Sequence, residues 1–165
     1  MKSLIIYFSR ADENYSVGYI DKGNTEVVAE YIQKLTNADM FKVEPLVPYS
    51  KDYTTAIEEA KIRQANHDAE IKGSIPSIID YEMIYIGSPI YWGTMPEELF
   101  TVLRKLDFTG KTIKVFTTHE GSGLGNVVND VKKICVGANV LDDGLAIKGS
   151  SVYQSKNKVK DWINI

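Results

Sequence analysis

Cysteine is almost absent from this chain of 165 residues; Cys135 stands alone. Without a second thiol there is no internal disulfide, and a zinc site built on paired cysteines goes with it. Cys135 ends the run VVNDVKKIC, in which Val127, Val128, Val131, Ile134 and Cys135 share one helical face, so it reads as a buried core thiol. Long apolar runs are missing too. The longest are about five residues, as in LIIYF at 4–8, against the ~20 a membrane-spanning helix needs. Met1 and Lys2 lead straight into that run rather than into a secretory leader, so the expected location is cytoplasmic, without membrane insertion. Nor is positive charge in excess. Nineteen Lys and Arg against 22 Asp and Glu give a net charge of −3, which argues against nucleic acid as a partner. No repeat, low-complexity segment or linker interrupts the chain, and residues 1–165 are expected to form one domain.

What is present is an alternation. SLIIYF (3–8) is the compact β-branched and aromatic block of a strand buried on both faces. TEVVAEYIQKL then sets Val27, Val28, Tyr31, Ile32 and Leu35 on one stripe, with Glu26 in the first turn where the helix dipole favours negative charge. DMFKVEP reads as a second strand stopped by Pro45, and a helix from about Thr54 to His67 has a weaker stripe of Ala56, Ile57 and Ala60. Met83–Gly87 is a third strand, and Pro96 opens a helix with Leu99, Phe100, Leu103 and Leu106 inward. KTIKVFTT, a helix over 126–135, the strand region NVLDDGLAIKG and a terminal helix in QSKNKVKDWINI complete the pattern. The class is α/β, a parallel sheet with helices on both faces.

In such a fold ligands bind outside the carboxyl ends of the strands. Three loops there stand out. The first holds Ser9 and the run Gly23, Asn24, Thr25, whose hydroxyls, amide and free helix N–H groups suit a dianionic phosphate. The second, SPIYWGTMP, places Tyr91 beside Trp92; neighbours cannot both face one core, so at least one is exposed and available to stack on a flat heteroaromatic. Gly93 adds a peptide free to turn over. The third, TTHEGSGLGN, is glycine-rich.

Together these motifs resemble those of the flavodoxin-like family, over essentially the whole chain and closest to its short-chain bacterial members. GNT stands at Gly23, Asn24 and Thr25; the aromatic motif at Pro89, Ile90, Tyr91, Trp92, Gly93, Thr94, Met95 and Pro96; the Gly-Ser-Gly loop at Gly121, Ser122 and Gly123. The resemblance implies a doubly wound, five-stranded parallel sheet of order 2-1-3-4-5 and FMN as cofactor. The first loop, with Ser9, would hold the phosphate; the second, with Ser88, would stack on the isoalloxazine and meet its N5 edge; the third, with Thr117, Thr118, His119 and Glu120, would meet the pyrimidine edge.

Two departures qualify the match. Where the family has the compact Ser/Thr-x-Thr-Gly-x-Thr, this chain takes 17 residues from Ser9 to Thr25, leaving Arg10 or Lys22 as candidates for the missing hydroxyl's place. The third loop also lacks a tyrosine to cover the flavin, so Tyr15, Tyr19 or Tyr153 is expected to do so, or the face is open. The leading function is a one-electron carrier between redox partner proteins, with Asp12, Glu13, Glu97, Glu98 and Glu120 available to steer basic partners. The alternative is an NAD(P)H-dependent reductase of quinones or related aromatics, in which His119 would donate a proton. A receiver module lacks its acidic residues here, and the P-loop motif is absent.

Overall fold

In a computed structural model that describes residues 2–164, the chain runs β1 (Ser3–Phe8), β2 (Asp12–Asn14), β3 (Gly18–Ile20), α1 (Asn24–Thr36), β4 (Asp39–Val43) and α2 (Tyr53–Asn66). It continues through β5 (Met83–Pro89), α3 (Glu97–Arg104), β6 (Thr112–His119), α4 (Val127–Ile134), β7 (Asn139–Val140), β8 (Leu145–Lys148), a 3-10 segment (Gly149–Gln154) and α5 (Lys156–Ile163). The main sheet has the order β4-β1-β5-β6-β7, with β8 also pairing β6, and every one of these pairings is parallel. β7 and β8 lie in line along the same edge of β6, so the order is the expected 2-1-3-4-5 with its fifth strand in two parts.

The break in that strand has a local cause. Asp142, Asp143 and Gly144 stand where a ladder would need strand formers. Lys132 pairs with Asp142, and Trp162 Nε1 donates to Asp143 O at 2.5 Å. Buried Lys114 donates to Trp162 O at 2.7 Å and lies 3.8 Å from Asp143. These tertiary bonds replace the missing ladder. A second unexpected element is the antiparallel β2–β3 ribbon, which folds the long first loop into a hairpin.

Alternation along the strands divides the core into two layers. Leu4, Ile6 and Phe8 of β1 pack with Leu99, Val102 and Leu103 of α3, Val127 and Val131 of α4, and Ala56 and Ala60 of α2. Ile5 and Tyr7 face the other way, onto Val28 and Ile32 of α1 and Val159 and Trp162 of α5. Cys135 is buried in the first layer, where desolvation pushes its thiol up to about 12, as befits a core residue.

Glu97 and Glu98 correct the charge reading. Both are buried in the first turn of α3 instead of standing at the surface. Glu98 accepts from Arg63 Nη1 at 2.8 Å and from the Tyr49 hydroxyl at 2.7 Å, while Glu97 accepts from Arg104 Nη1 at 3.0 Å with His67 3.7 Å away. The Glu98 pair ties α3 to α2, the Glu97 pair closes within α3, and carboxylates neutralised in this way cannot steer a partner.

Gly87 shows how tightly the second layer is filled. It sits in register with Tyr7 and Phe116, and a Cβ built on it would lie 2.1 Å from Phe116 Cζ. The ring therefore occupies the glycine's side-chain space. Gly87→Ala is expected to lower the unfolding free energy by about 1–3 kcal/mol, and Phe116→Leu in the same chain to restore part of it. Urea unfolding of the single and double variants checks this; additive losses would refute the overlap.

Candidate functional site

β1, β5 and β6 finish along one edge of the sheet, and the turns that follow them meet around a cavity of about 330 Å3. The first turn is shaped by Gly23. A Cβ there would lie 2.1 Å from Ser9 Oγ and 2.9 Å from the backbone of Arg10, so only glycine lets the chain return this closely. Ser9 Oγ accepts from the Glu26 N–H at 3.0 Å, and Gly23 offers α1 no side-chain cap, which leaves its earliest N–H groups for a ligand. Asn24 and Thr25 line the cavity, and Thr25 Oγ1 is 2.7 Å from Thr118 Oγ1, tying the start of α1 to the end of β6.

The second turn is a two-residue reversal. Tyr91 and Thr94 exchange N–H···O bonds of 2.7 and 3.2 Å, and Trp92 and Gly93 both have positive φ, +52° and +84°. A tryptophan held there is strained by about 1–3 kcal/mol, and its anchors are visible. Its Nε1 donates to Ile57 O at 2.7 Å, and Lys61 Nζ stands 5.1 Å from its ring centroid. Trp92 is half exposed, whereas Tyr91 turns inward against Phe8 and Tyr49 at 5.7 and 5.8 Å, where burial pushes its phenol well up. The pair divides as its adjacency requires. Of Gly93's two peptides, the one carrying its carbonyl is held by Asn126 N–H at 2.8 Å. The Trp92–Gly93 peptide has no partner among the described residues, so that is the one free to turn over.

In the third turn His119 Nδ1 accepts from the Gly121 N–H at 2.9 Å, which puts the neutral ring's proton on Nε2. Burial lowers the His119 pKa, in keeping with a turn residue more than a proton donor. Glu120 Oε1 accepts from Ser150 N–H at 2.9 Å, while its Oε2 is buried without a partner among the described residues. Gly149 makes room here, since a Cβ on it would lie 2.5 Å from both Glu120 Oε1 and Asn24 Nδ2.

Of the residues singled out in the sequence, Asn24, Thr25, Pro89, Ile90, Tyr91, Trp92, Thr118, His119, Glu120 and Ser122 line the cavity. Ser9, Gly23, Ser88, Gly93, Thr117, Gly121 and Gly123 do not, and instead shape the turns from behind. Buried Thr117 Oγ1 donates to Gly123 O at 2.8 Å, and buried Ser88 Oγ to Pro89 O at 2.6 Å. Lys22 turns away to Glu30 at 2.9 Å, while Arg10 lines the cavity. Of the three candidate cover tyrosines only Tyr15 reaches it, carried by the hairpin; Tyr19 and Tyr153 are exposed elsewhere. The residues missed are Asn14 of the hairpin and Tyr53 of α2, whose ring stands 5.8 Å from that of Tyr15 at 37°. Ala56, Ile57 and Ala60 of α2 also line the cavity, and the thin apolar stripe read there was their trace.

A parallel sheet of this order, with a glycine-edged helix start and an aromatic wall around a cavity at its carboxyl edge, defines a doubly wound ligand-binding protein. The chain belongs to the flavodoxin family, whose model matches residues 13–165. Solved structures agree on the fold. A provisionally named flavoprotein of Bacteroides eggerthii superposes with a TM-score of 0.76 at 23% identity, covering 99% of this chain and 96% of that one. A flavoprotein in complex with FMN from Lactobacillus acidophilus gives 0.65 at 21%, covering 93% and 97%, and oxidised flavodoxin 2 from Bacillus cereus gives 0.59 at 19%, covering 99% of both. No curated protein matches the chain. Among the described residues no helix is long and apolar enough to cross a membrane.

Because burial lowers the His119 pKa in the folded chain, protonation favours the unfolded state. Its contribution is complete above about pH 6.5, the ordinary histidine value, and is lost as pH falls through the lower folded value. The unfolding free energy of the native chain should therefore fall more steeply between pH 7 and 5 than that of His119→Asn, which keeps an acceptor for Gly121. Equal slopes in urea titrations would remove His119 from the pH dependence.

Proposed function

We propose that the chain binds FMN in this cavity and serves as a one-electron carrier between redox partner proteins. When bound, the flavin supplies the redox chemistry, taking up and releasing electrons. The observation that carries the reading is a pair of unmatched atoms in residues lining one cavity. Arg10 Nε is a buried donor without an acceptor, and Glu120 Oε2 a buried acceptor without a donor, among the described residues. Buried groups of this kind call for partners. A phosphate monoester offers acceptor oxygens and a flavin pyrimidine edge offers an N–H, so FMN carries both kinds of missing partner. The L. acidophilus relative, solved in complex with FMN, and a Fusobacterium nucleatum flavodoxin bound to flavin mononucleotide accord with this choice.

The residues then divide the work. The α1 N–H groups, Asn24 and the Gly23 turn hold the phosphate, with Ser9 bracing the turn from behind. Trp92, its indole already fixed by Ile57 O, provides a stacking face of the kind that contributes roughly 1–3 kcal/mol per base. The unpartnered Trp92–Gly93 peptide can present either its carbonyl or its N–H toward the cofactor's N5 edge. Glu120 places a carboxylate where added negative charge is disfavoured, which lowers the reduction potential.

Room for a second substrate separates the two candidate functions. A cavity of about 330 Å3 lies at the lower end of the ~300–1,000 Å3 typical of ligand sites, and Tyr15 and Tyr53 stand against it. That leaves little enclosed space beside one flavin for a nicotinamide or quinone, and favours exchange of electrons through an exposed edge. With Glu97 and Glu98 withdrawn, partner docking falls to the exposed aromatic rim more than to acidic steering.

Reconstitution with FMN followed by anaerobic reductive titration should give two separated one-electron midpoints, with no reduction by NADH or NADPH; rapid two-electron reduction by either nucleotide would overturn the carrier reading. Glu120→Gln should raise the potential for the second electron by about 60 mV, the one-electron equivalent of a tenfold change in relative binding. An unmoved midpoint would show that the carboxylate does not face the cofactor.

A further inference from the structure

The hairpin in the first loop is fastened to the rest of the molecule almost entirely at one place. Arg10 Nη1 donates to Glu13 O, while Nη2 donates to Ser50 O at 2.6 Å and Lys51 O at 2.9 Å. Glu13 N–H donates to Lys51 O at 3.1 Å, and Glu13 Oε1 accepts from the Tyr53 N–H at 2.6 Å. Asn14 Nδ2 closes the loop on Arg10 O and Ala11 O, each at 3.1 Å. Through these bonds the hairpin grips the segment entering α2, and Tyr15 is laid against Tyr53 beside the cavity.

Three of the five N–H groups of that guanidinium are used in these bonds, and its Nε–H is not among them. Its Nε is buried with no acceptor among the described residues, and Arg10 lines the cavity next to the turn at Gly23, whose Cβ position lies 2.9 Å from Arg10 N and C. A planar fork with five N–H groups in fixed relation can use its two ends on different partners at once, which a lysine cannot. Lys22, the other cation of the loop, is occupied by Glu30.

We propose that Arg10 is both an anion-binding and a positioning residue, giving its Nε–H to the cofactor phosphate while its terminal nitrogens hold the hairpin, so that phosphate binding and hairpin closure reinforce each other. This rests on the FMN reading above. An anion on Nε orients the guanidinium and reduces its freedom to leave the carbonyls of Glu13, Ser50 and Lys51; a closed hairpin in turn presents Nε at a fixed place. Coupling of this kind is reciprocal. It gives the 17-residue detour a task, since the insertion carries Tyr15 and is anchored by a residue that reads the phosphate.

The test compares FMN with riboflavin, which lacks only the phosphate. In the native chain, hydrogen exchange of amides 12–20 should slow at least about fivefold more with saturating FMN than with saturating riboflavin; equal protection overturns the coupling without any variant being needed. By fluorescence titration, Arg10→Ala and Arg10→Lys should lower the ratio of FMN to riboflavin affinity about tenfold, the scale of one lost charge-assisted hydrogen bond, whereas Tyr15→Ala should weaken both ligands and leave the ratio unchanged. Arg10 variants that weaken both ligands equally would make Arg10 a tether only and refute its phosphate contact. If the native chain binds neither flavin, the FMN reading itself fails, and this proposal with it; binding of both flavins with an unaltered ratio in the Arg10 variants refutes this proposal alone.

Discussion

The common register of β1, β5 and β6 is the constraint on which the rest of the structure depends. Tyr7, Gly87 and Phe116 form one row across the sheet, and the Phe116 ring fills the space that Gly87 leaves. A slip of one residue would turn every buried side chain of β5 to the wrong layer. Because the row is fixed, Phe8, Pro89 and His119 mark one edge, and the three turns beyond them have no choice but to face each other. The cavity is thus a product of strand pairing, and its side chains are refinements of a space that the backbone creates.

The site then depends on small groups more than on large ones. Gly23, Gly87 and Gly149 each sit where a methyl would overlap a neighbour, and the Thr25–Thr118 contact joins elements distant in sequence with two hydroxyls. Large side chains take part only where something fixes them: Trp92 by Ile57 O, Tyr91 by Phe8 and Tyr49, Tyr15 by Tyr53. A wall prepared in this way loses little side-chain freedom when a ligand binds.

Most of the fold was legible because buried parallel strands and amphipathic helices leave strong local signatures. MIYIG and LIIYF could hardly be anything else, and α1 begins at the Asn24 that follows the glycine. What was not legible depended on distant partners. Glu98 looks like part of an exposed first turn until Arg63 reaches it from α2. The break between β7 and β8 is held by Lys114, Lys132 and Trp162, none of them a neighbour in sequence. At the site, the turn residues carry a motif and part of that set lines the cavity, whereas Tyr53 lines it from a helix that carries no motif. The hairpin was hidden for a different reason, as three-residue strands of mixed polarity carry no periodicity to read.

The divided fifth strand has a consequence for how the molecule behaves among copies of itself. A sheet's outer strand exposes a row of unsatisfied backbone groups, and a long flat row invites another chain to extend it. Here that border consists of a piece of two residues and a piece of four, separated by two aspartates and a glycine. The interruption therefore acts as a guard against aggregation, placed at the sheet border farthest from β4.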